Sequence, residues 1–257
     1  MLADLTAGSV ADAARREDEL PLKLVERAAL AAPPVIDAHI ALARSSHVKV
    51  IAEVKRASPS RGNLAAITDP AALATLYQTG GASAISVLTE ERKFLGSLED
   101  LRAVRAAVNI PVLRKDFIAT PYQVFEARAA GADIVLLIVA ALQPETLVSL
   151  NRLASELGMA VLVETHSVEE VEQAVDLGAR LIGVNARDLT TFELDRELFS
   201  TVAERIPSGT IRIAESAVRD ASDVAHYRAA GADVVLVGEA LVTSDPLVTL
   251  TNFLAVS

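Results

Sequence analysis

From residue 48 to the C-terminus, apolar stretches alternate with stretches of mixed polarity in a regular rhythm. The apolar stretches are Val48–Lys55, Ala84–Thr89, Pro111–Asp116, Asp133–Ala140, Ala160–Thr165, Leu181–Asn185, Ile211–Ser216 and Val234–Glu239. Each reads as a buried strand, and enough chain separates consecutive ones for a crossover helix. That alternation predicts a parallel sheet. Eight units with no strand left over predict α/β architecture, a single (β/α)8 TIM barrel closed on itself. Ahead of it, Val10–Leu30 reads as a helix ended by Pro33-Pro34, and Val35–Arg44 as a second, shorter one. The charge run Arg15-Arg16-Glu17-Asp18-Glu19 reads as a solvated helix face. No Pro/Gly/Ser-rich linker divides the chain, so residues 1–257 are expected to form one domain, with an N-terminal helical extension over 1–47 and the barrel over 48–257.

An internal echo supports the repeat. Ala127-Arg-Ala-Ala-Gly-Ala-Asp-Ile-Val-Leu-Leu resembles Tyr227-Arg-Ala-Ala-Gly-Ala-Asp-Val-Val-Leu-Val, with weaker copies at Gly80–Ile85 and Leu177–Ile182. Glycine just past a helix can take the left-handed conformation that ends it, and the following Ala permits a tight entry into the next strand. These glycines belong to the face of a barrel that carries stability rather than to a ligand loop.

Composition narrows the picture. There is no Cys, which removes disulfides, thiolate metal sites and a cysteine nucleophile. Met1–Asp12 has neither a basic residue nor an apolar core of the kind a signal peptide needs. The longest apolar run, Ile134–Leu142, is too short to span a bilayer. A cytoplasmic protein without a membrane is the expectation. The net charge of −10 argues against nucleic acid as the main partner, and nothing in the chain points to an obligate protein partner. Yet of the five lysines, Lys55, Lys93 and Lys115 fall at or just after predicted strand ends, as do Arg56, Arg61, Arg92, Arg114 and Arg187. A cationic cluster in an acidic chain points to a small anionic ligand.

Catalytic groups of such barrels sit at the C-terminal ends of the strands. Those ends carry Glu53, Lys55 and Ser58; Glu90 to Phe94; Arg114-Lys115-Asp116; Glu164-Thr165-His166; Asn185 and Arg187; Glu215-Ser216; and Gly238-Glu239. Glu53 and Lys55, two apart on a strand, share a face and lie roughly 7 Å apart. A buried strand has little reason to hold such charges unless they are paired or work. Alternation puts Lys115 inside with Leu113, Glu164 with Leu162 and Glu215 with Ile213, and turns Arg114 outward. His166 reads as a loop residue. No metal-ligand constellation, Walker loop or Rossmann glycine fingerprint is present, so no metal and no nucleotide cofactor is expected. Phosphate differs: the last two strand ends of these barrels often cradle one through backbone N–H groups, and Ser216-Ala217 and Gly238-Glu239-Ala240 are placed for that.

Several stretches, in order, resemble the indole-3-glycerol phosphate synthase family: Ile51-Ala-Glu-Val-Lys-Arg-Ala-Ser-Pro-Ser, Val87-Leu-Thr-Glu-Glu-Arg-Lys-Phe-Leu-Gly-Ser, Val112-Leu-Arg-Lys-Asp-Phe, Val163-Glu-Thr, Ile182-Gly-Val-Asn-Ala-Arg-Asp-Leu and Ile213-Ala-Glu-Ser. The resemblance implies conversion of 1-(2-carboxyphenylamino)-1-deoxyribulose 5-phosphate to indole-3-glycerol phosphate, with loss of carbon dioxide and water and no cofactor. It makes Lys115 the general acid for ring closure, assigns Lys55 to the hydroxyl lost in dehydration, and gives Glu164 the part of base or stabiliser of positive charge. Glu53 and Glu215 would position lysines and substrate hydroxyls. Asn185 and Arg187 would sit near the substrate carboxylate, and Phe94 would shape the aromatic pocket. Ser58, Ser216, Ala217, Gly238 and Glu239 would hold the phosphate. Two positions depart from the family pattern, which often has Gly where Ala217 stands and Ser where Glu239 stands. Glu239 is therefore expected to offer its backbone N–H and turn its carboxylate away. A phosphate-barrel isomerase such as phosphoribosylanthranilate isomerase would use a Cys/Asp pair, and this chain has no Cys.

Overall fold

The computed structural model describes residues 1–59, 61–188 and 193–257. Ser60 and Leu189, which end two of the family-like motifs, lie outside the described residues. The eight expected strands are all present as β1 (Lys49–Val54), β4 (Ala84–Leu88), β5 (Val112–Lys115), β6 (Ile134–Ile138), β7 (Ala160–Thr165), β8 (Leu181–Asn185), β9 (Ile211–Glu215) and β10 (Val234–Val237). They close into one barrel in the order β1-β10-β9-β8-β7-β6-β5-β4, every pair parallel. A small antiparallel hairpin, β2 (Ala57–Ser58) with β3 (Gly62–Asn63), rises from the loop after β1.

Alternation sorts the side chains into two apolar layers. Ile51, Leu113, Leu136, Leu162, Leu181, Ile213 and Leu236 fill the barrel. Their neighbours Val50, Ala52, Val112, Val135, Val163, Ile182 and Val235 face the helices. Those helices are α4 (Pro70–Thr79), α5 (Leu98–Ala107), α6 (Pro121–Ala129), α7 (Pro144–Glu156), α8 (Val168–Asp176), α9 (Leu198–Val202), α10 (Ala221–Ala229), α11 (Glu239–Val242) and α12 (Pro246–Leu254). The repeat glycines take positive φ as expected, Gly131 at 90° and Gly231 at 101°. The repeat aspartates have matching work at the barrel's N-terminal end. Asp133 accepts from the backbone N–H of Val112 and Asp233 from that of Arg212.

The extension differs from expectation. The helix expected over Val10–Leu30 is two helices, α1 (Leu2–Glu19) and α2 (Leu22–Ala31), and the second segment shortens to α3 (Ala38–Ala41). Pro21 makes the break: it cannot donate an N–H, and it forces Leu20 into extended geometry, φ −132°. Nor is the charge run merely a solvated face. Arg16 donates to Glu126 on α6 through Nε (2.6 Å) and Nη2 (3.0 Å), and Arg15 and Arg16 both reach Glu91. Ser9 donates to Asp116 at 2.7 Å and accepts from Gln123 Nε2 at 3.1 Å. Helix α1 is thereby bonded to the residue that follows Lys115.

Candidate active site

At the C-terminal mouth of the barrel lies a cavity of about 510 Å³. All thirteen residues expected from the sequence line it: Glu53, Lys55, Ser58, Phe94, Lys115, Glu164, Asn185, Arg187, Glu215, Ser216, Ala217, Gly238 and Glu239. Its walls are part apolar, from Leu88, Phe117, Leu136, Ile138 and Leu236, and part charged. That mixture suits an aromatic molecule carrying anionic groups.

Lys115 is the centre of the polar half. Its Nζ donates to Glu164 Oε2 at 2.9 Å and to Glu215 Oε2 at 3.2 Å. Burial works against the ammonium, but the surrounding charge of Glu164, Glu215 and Glu53 outweighs it and holds the pKa above the ordinary lysine value. The two carboxylates beside it are pushed apart. For Glu164, burial opposes ionisation, yet Lys115 and His166 overcome it and keep the carboxyl well below its usual range. For Glu215, burial dominates and the nearby Glu164 charge adds to it, so its pKa rises to about 8. Glu164 Oε1 also accepts from Asn185 Nδ2 at 3.1 Å, while Asn185 Oδ1 accepts from the N–H of Arg187 (3.0 Å) and the hydroxyl of Ser216 (2.7 Å).

Across the cavity, Lys55 Nζ lies 3.5 Å from Glu53 Oε1 and 5.8 Å from the centre of the Phe94 ring, within cation–π range. Glu53 is buried and accepts from Ser86 Oγ at 3.3 Å. Phe94 owes its place to Glu90, whose carboxylate accepts from the backbone N–H groups of Arg92, Lys93 and Phe94 at 3.1, 2.7 and 2.9 Å. Its ring then meets Phe117, centroids 6.1 Å apart.

Two glycines make room for the carboxylates. A Cβ on Gly183 of β8 would overlap Glu215 Oε1, and one on Gly238 would come within 2.5 Å of Glu53 Oε1. Gly238 thus shapes the mouth through its missing side chain as well as lining it. Ser216 and Ala217 both have positive φ, 67° and 55°, although neither is glycine. Glu239 turns its carboxylate to Arg61, accepting from Nε at 3.0 Å and Nη2 at 2.5 Å.

The expected cationic cluster is smaller than the sequence suggests. Lys55, Lys115, Arg61 and Arg187 line the cavity, but Lys93, Arg56, Arg92 and Arg114 do not. Arg56 pairs with Asp100 and Arg92 with Asp12. Arg114 faces outward as alternation requires, fully buried among Thr89, Asp116, Glu126 and the Gln123 carbonyl. Conversely, His166 is more than a loop residue. Its ring is buried between Glu164 and Glu170. The sequence holds one signal for this: Ser167-Val-Glu-Glu170 has capping-box spacing, which draws a carboxylate back toward the start of α8.

Fold and mouth together define the class: an enzyme of the (β/α)8-barrel type. The sequence model of the indole-3-glycerol phosphate synthase family matches residues 2–252. A relative with that name from Leifsonia xyli subsp. xyli is 69% identical, over 98% of this chain and 97% of that protein. Another, from Mycobacteroides abscessus, is 58% identical over 96% of this chain and 90% of that protein. Among solved structures, an N-acetylmannosamine-6-phosphate 2-epimerase from Clostridium perfringens superposes with TM-score 0.61 at 15% identity, covering 80% of this chain and 91% of that one, a likeness of fold alone. The chain belongs to the indole-3-glycerol phosphate synthase family, carboxy-lyases of tryptophan biosynthesis.

Proposed function

We propose that the mouth of this barrel closes the indole ring of 1-(2-carboxyphenylamino)-1-deoxyribulose 5-phosphate, releasing carbon dioxide and water, by acid–base catalysis from its own side chains. The observation that carries the assignment is the Lys115 ammonium held between Glu164 and Glu215, in one cavity with the Lys55–Glu53 pair. In ring closure the aryl carbon bearing the carboxylate attacks the ketone. The ketone oxygen, becoming an alkoxide far more basic than an amine, takes a proton from the Lys115 ammonium despite the carboxylates that hold that charge in place. Positive charge then develops on the ring and its nitrogen. Glu164, kept ionised, faces that charge as a stabiliser rather than as a base, since a carboxylate held far below its usual pKa accepts a proton poorly. Loss of carbon dioxide restores the ring electrons. Lys55 then protonates the departing hydroxyl, which leaves as water, with Glu53 orienting the lysine; the neutral Lys55 amine takes back the proton that the neighbouring carbon loses, which completes dehydration and restores the ammonium. Glu215, titrating near neutrality, is the carboxyl suited to exchange protons with Lys115.

Asn185 and Arg187 meet the substrate carboxylate, and Phe94 stacks near the aromatic ring. Phosphate lies over Ser58, the Ser216–Ala217 backbone and Gly238, with Glu239 contributing only its N–H because Arg61 holds its carboxylate. We assign the activity to residues 1–257 acting as one cytoplasmic domain without metal, organic cofactor, nucleic acid or obligate protein partner; the bonds from α1 to Asp116 and Glu126 support including the extension. Appearance of indole fluorescence on adding the substrate tests the reaction. Lys115→Ala and Lys55→Ala should each lower kcat by at least about a hundredfold, as loss of a general acid does. Near-normal turnover in either variant removes that lysine from its role.

A further inference from the structure

We propose that His166 is a positioning residue: a permanently charged imidazolium clamped between Glu164 and Glu170, which decides which of the two carboxylates around Lys115 stays ionised. The inference rests on the reading that Lys115 and Glu164 act on the substrate.

The geometry is the argument. His166 Nε2 lies 3.2 Å from Glu164 Oε1, and Nδ1 lies 3.2 Å from Glu170 Oε2. A neutral imidazole carries one N–H, so its second nitrogen would leave a lone pair within 3.2 Å of a carboxylate oxygen. Only the doubly protonated ring is attractive on both sides. Nε2 is off the line of an aligned hydrogen bond, so its contact with Glu164 is an ion pair; the aligned partner is Glu170. Glu170 is itself fixed. Its Oε2 accepts from the His166 backbone N–H at 2.8 Å, and its own N–H donates to the helix-capping hydroxyl of Ser167 at 3.2 Å. Among the described residues, the charged groups shown against the ring are Glu164 from β7 and Glu170 from α8. Beyond Glu164 stand Lys115 from β5 and Glu215 from β9, and the turn Val139–Ala141 that packs on α8 brings no titratable group. Burial disfavours the charged ring, but the carboxylates of Glu164 and Glu170 on either side outweigh it and raise its pKa to about 10.

The consequence is an asymmetry. Lys115 alone would serve Glu164 and Glu215 almost alike, and two carboxylates sharing one ammonium compete for it. His166 gives Glu164 a second cation and Glu215 none. Glu164 therefore keeps its negative charge, and the proton goes to Glu215. In this way a ring outside the cavity lining sets the division of labour within it.

Nitrogen-detected NMR of the histidine side chains in the full-length protein, with His166→Gln supplying the assignment, tests the charge directly. Both ring nitrogens should stay protonated from pH 6 to about 9; a singly protonated ring at pH 7.5 overturns the inference. Kinetically, His166→Gln should lower kcat about tenfold with KM within twofold, and move the acid limb of the kcat–pH profile upward by about one pH unit as Glu164 loses a cation. An acid limb that stays in place also overturns it. Should that variant fail to fold, Glu170→Gln keeps the ring and must lower the measured pKa of His166; an unchanged titration is a refutation. The NMR arm does not involve turnover. A neutral ring would sink the clamp with the reaction intact, whereas a wild-type enzyme that makes no indole product would sink the reaction with the clamp intact.

Discussion

Arg114 and Lys115 are adjacent cations on one strand, and replacing each by Met should give opposite phenotypes. Arg114 is fully buried behind the barrel wall and donates to Thr89, Asp116, Glu126 and the Gln123 carbonyl. Its removal leaves two buried carboxylates short of a cation. Breaking a buried pair from one side costs about 3–5 kcal/mol. Asp116 keeps Ser9 and Thr89 and Glu126 keeps Arg16, so the lower end, about 3 kcal/mol, applies. For a chain of this size that corresponds to a fall in Tm of about 6–12 °C. Lys115→Met also removes a buried cation, but Glu215 takes up a proton readily and Glu164 retains His166 and Asn185, so the loss should stay below about 2 kcal/mol. Thermal unfolding by circular dichroism measures the first effect, and indole fluorescence at a temperature where both variants are folded measures the second. Arg114→Met should be unstable but active, Lys115→Met folded but nearly inert. An Arg114→Met variant as stable as wild type, or inert while folded, would refute the division of the strand into a chemical face and a structural one.

Three further outcomes follow from the geometry. Glu215, with a folded pKa of about 8 against 4.5 for an ordinary glutamate, holds a proton that the unfolded chain sheds. Its contribution to stability is fully present below pH 4.5 and is lost as pH rises toward 8. Urea unfolding of Glu215→Gln should therefore show a smaller decline between pH 5 and 8 than wild type, and identical slopes would contradict the assignment. Ala217 at φ 55° bears a left-handed backbone that costs a residue with Cβ about 1–2 kcal/mol, partly offset in Ala217→Gly by the freer unfolded chain at about 0.4–1 kcal/mol. That variant should be equal to wild type or more stable by up to about 1.6 kcal/mol; a clear loss would mean the conformation is not strained. Arg61→Ala leaves the Glu239 carboxylate without its partner beside the phosphate end, so KM should rise severalfold, less so at high salt, with kcat unchanged and Glu239→Ser restoring it. An unaltered KM would separate Glu239 from the phosphate.

The barrel was legible because its strands are buried on both faces, which leaves an uninterrupted apolar run that few other elements produce. That Glu53, Lys115, Glu164 and Glu215 gather in one cavity was legible for the complementary reason: they are charges at the ends of such runs, on the same alternation as Ile51, Leu113, Leu162 and Ile213. What stayed hidden depends on partners distant along the chain. Arg56 and Arg92 look like cavity cations until Asp100 and Asp12 are brought beside them. His166 is a different case: its partners Glu164 and Glu170 are near in sequence, and the capping-box spacing of Ser167 and Glu170 was the one hint that a ring would sit between them. The break between α1 and α2 was different, since Pro21 was visible and its helix-breaking geometry was sufficient to predict it.

Gly183 and Gly238 carry a last consequence. Neither offers a side chain to a substrate, yet each reserves the space that a carboxylate of the adjoining strand occupies. The positions of the two carboxylates are therefore shaped by absent methyl groups as much as by their lysine partners. An alanine at either position would push Glu215 or Glu53 from beside its lysine, and if the proposed roles hold, a mutational survey would record it as a loss of activity at a residue that offers no side chain of its own.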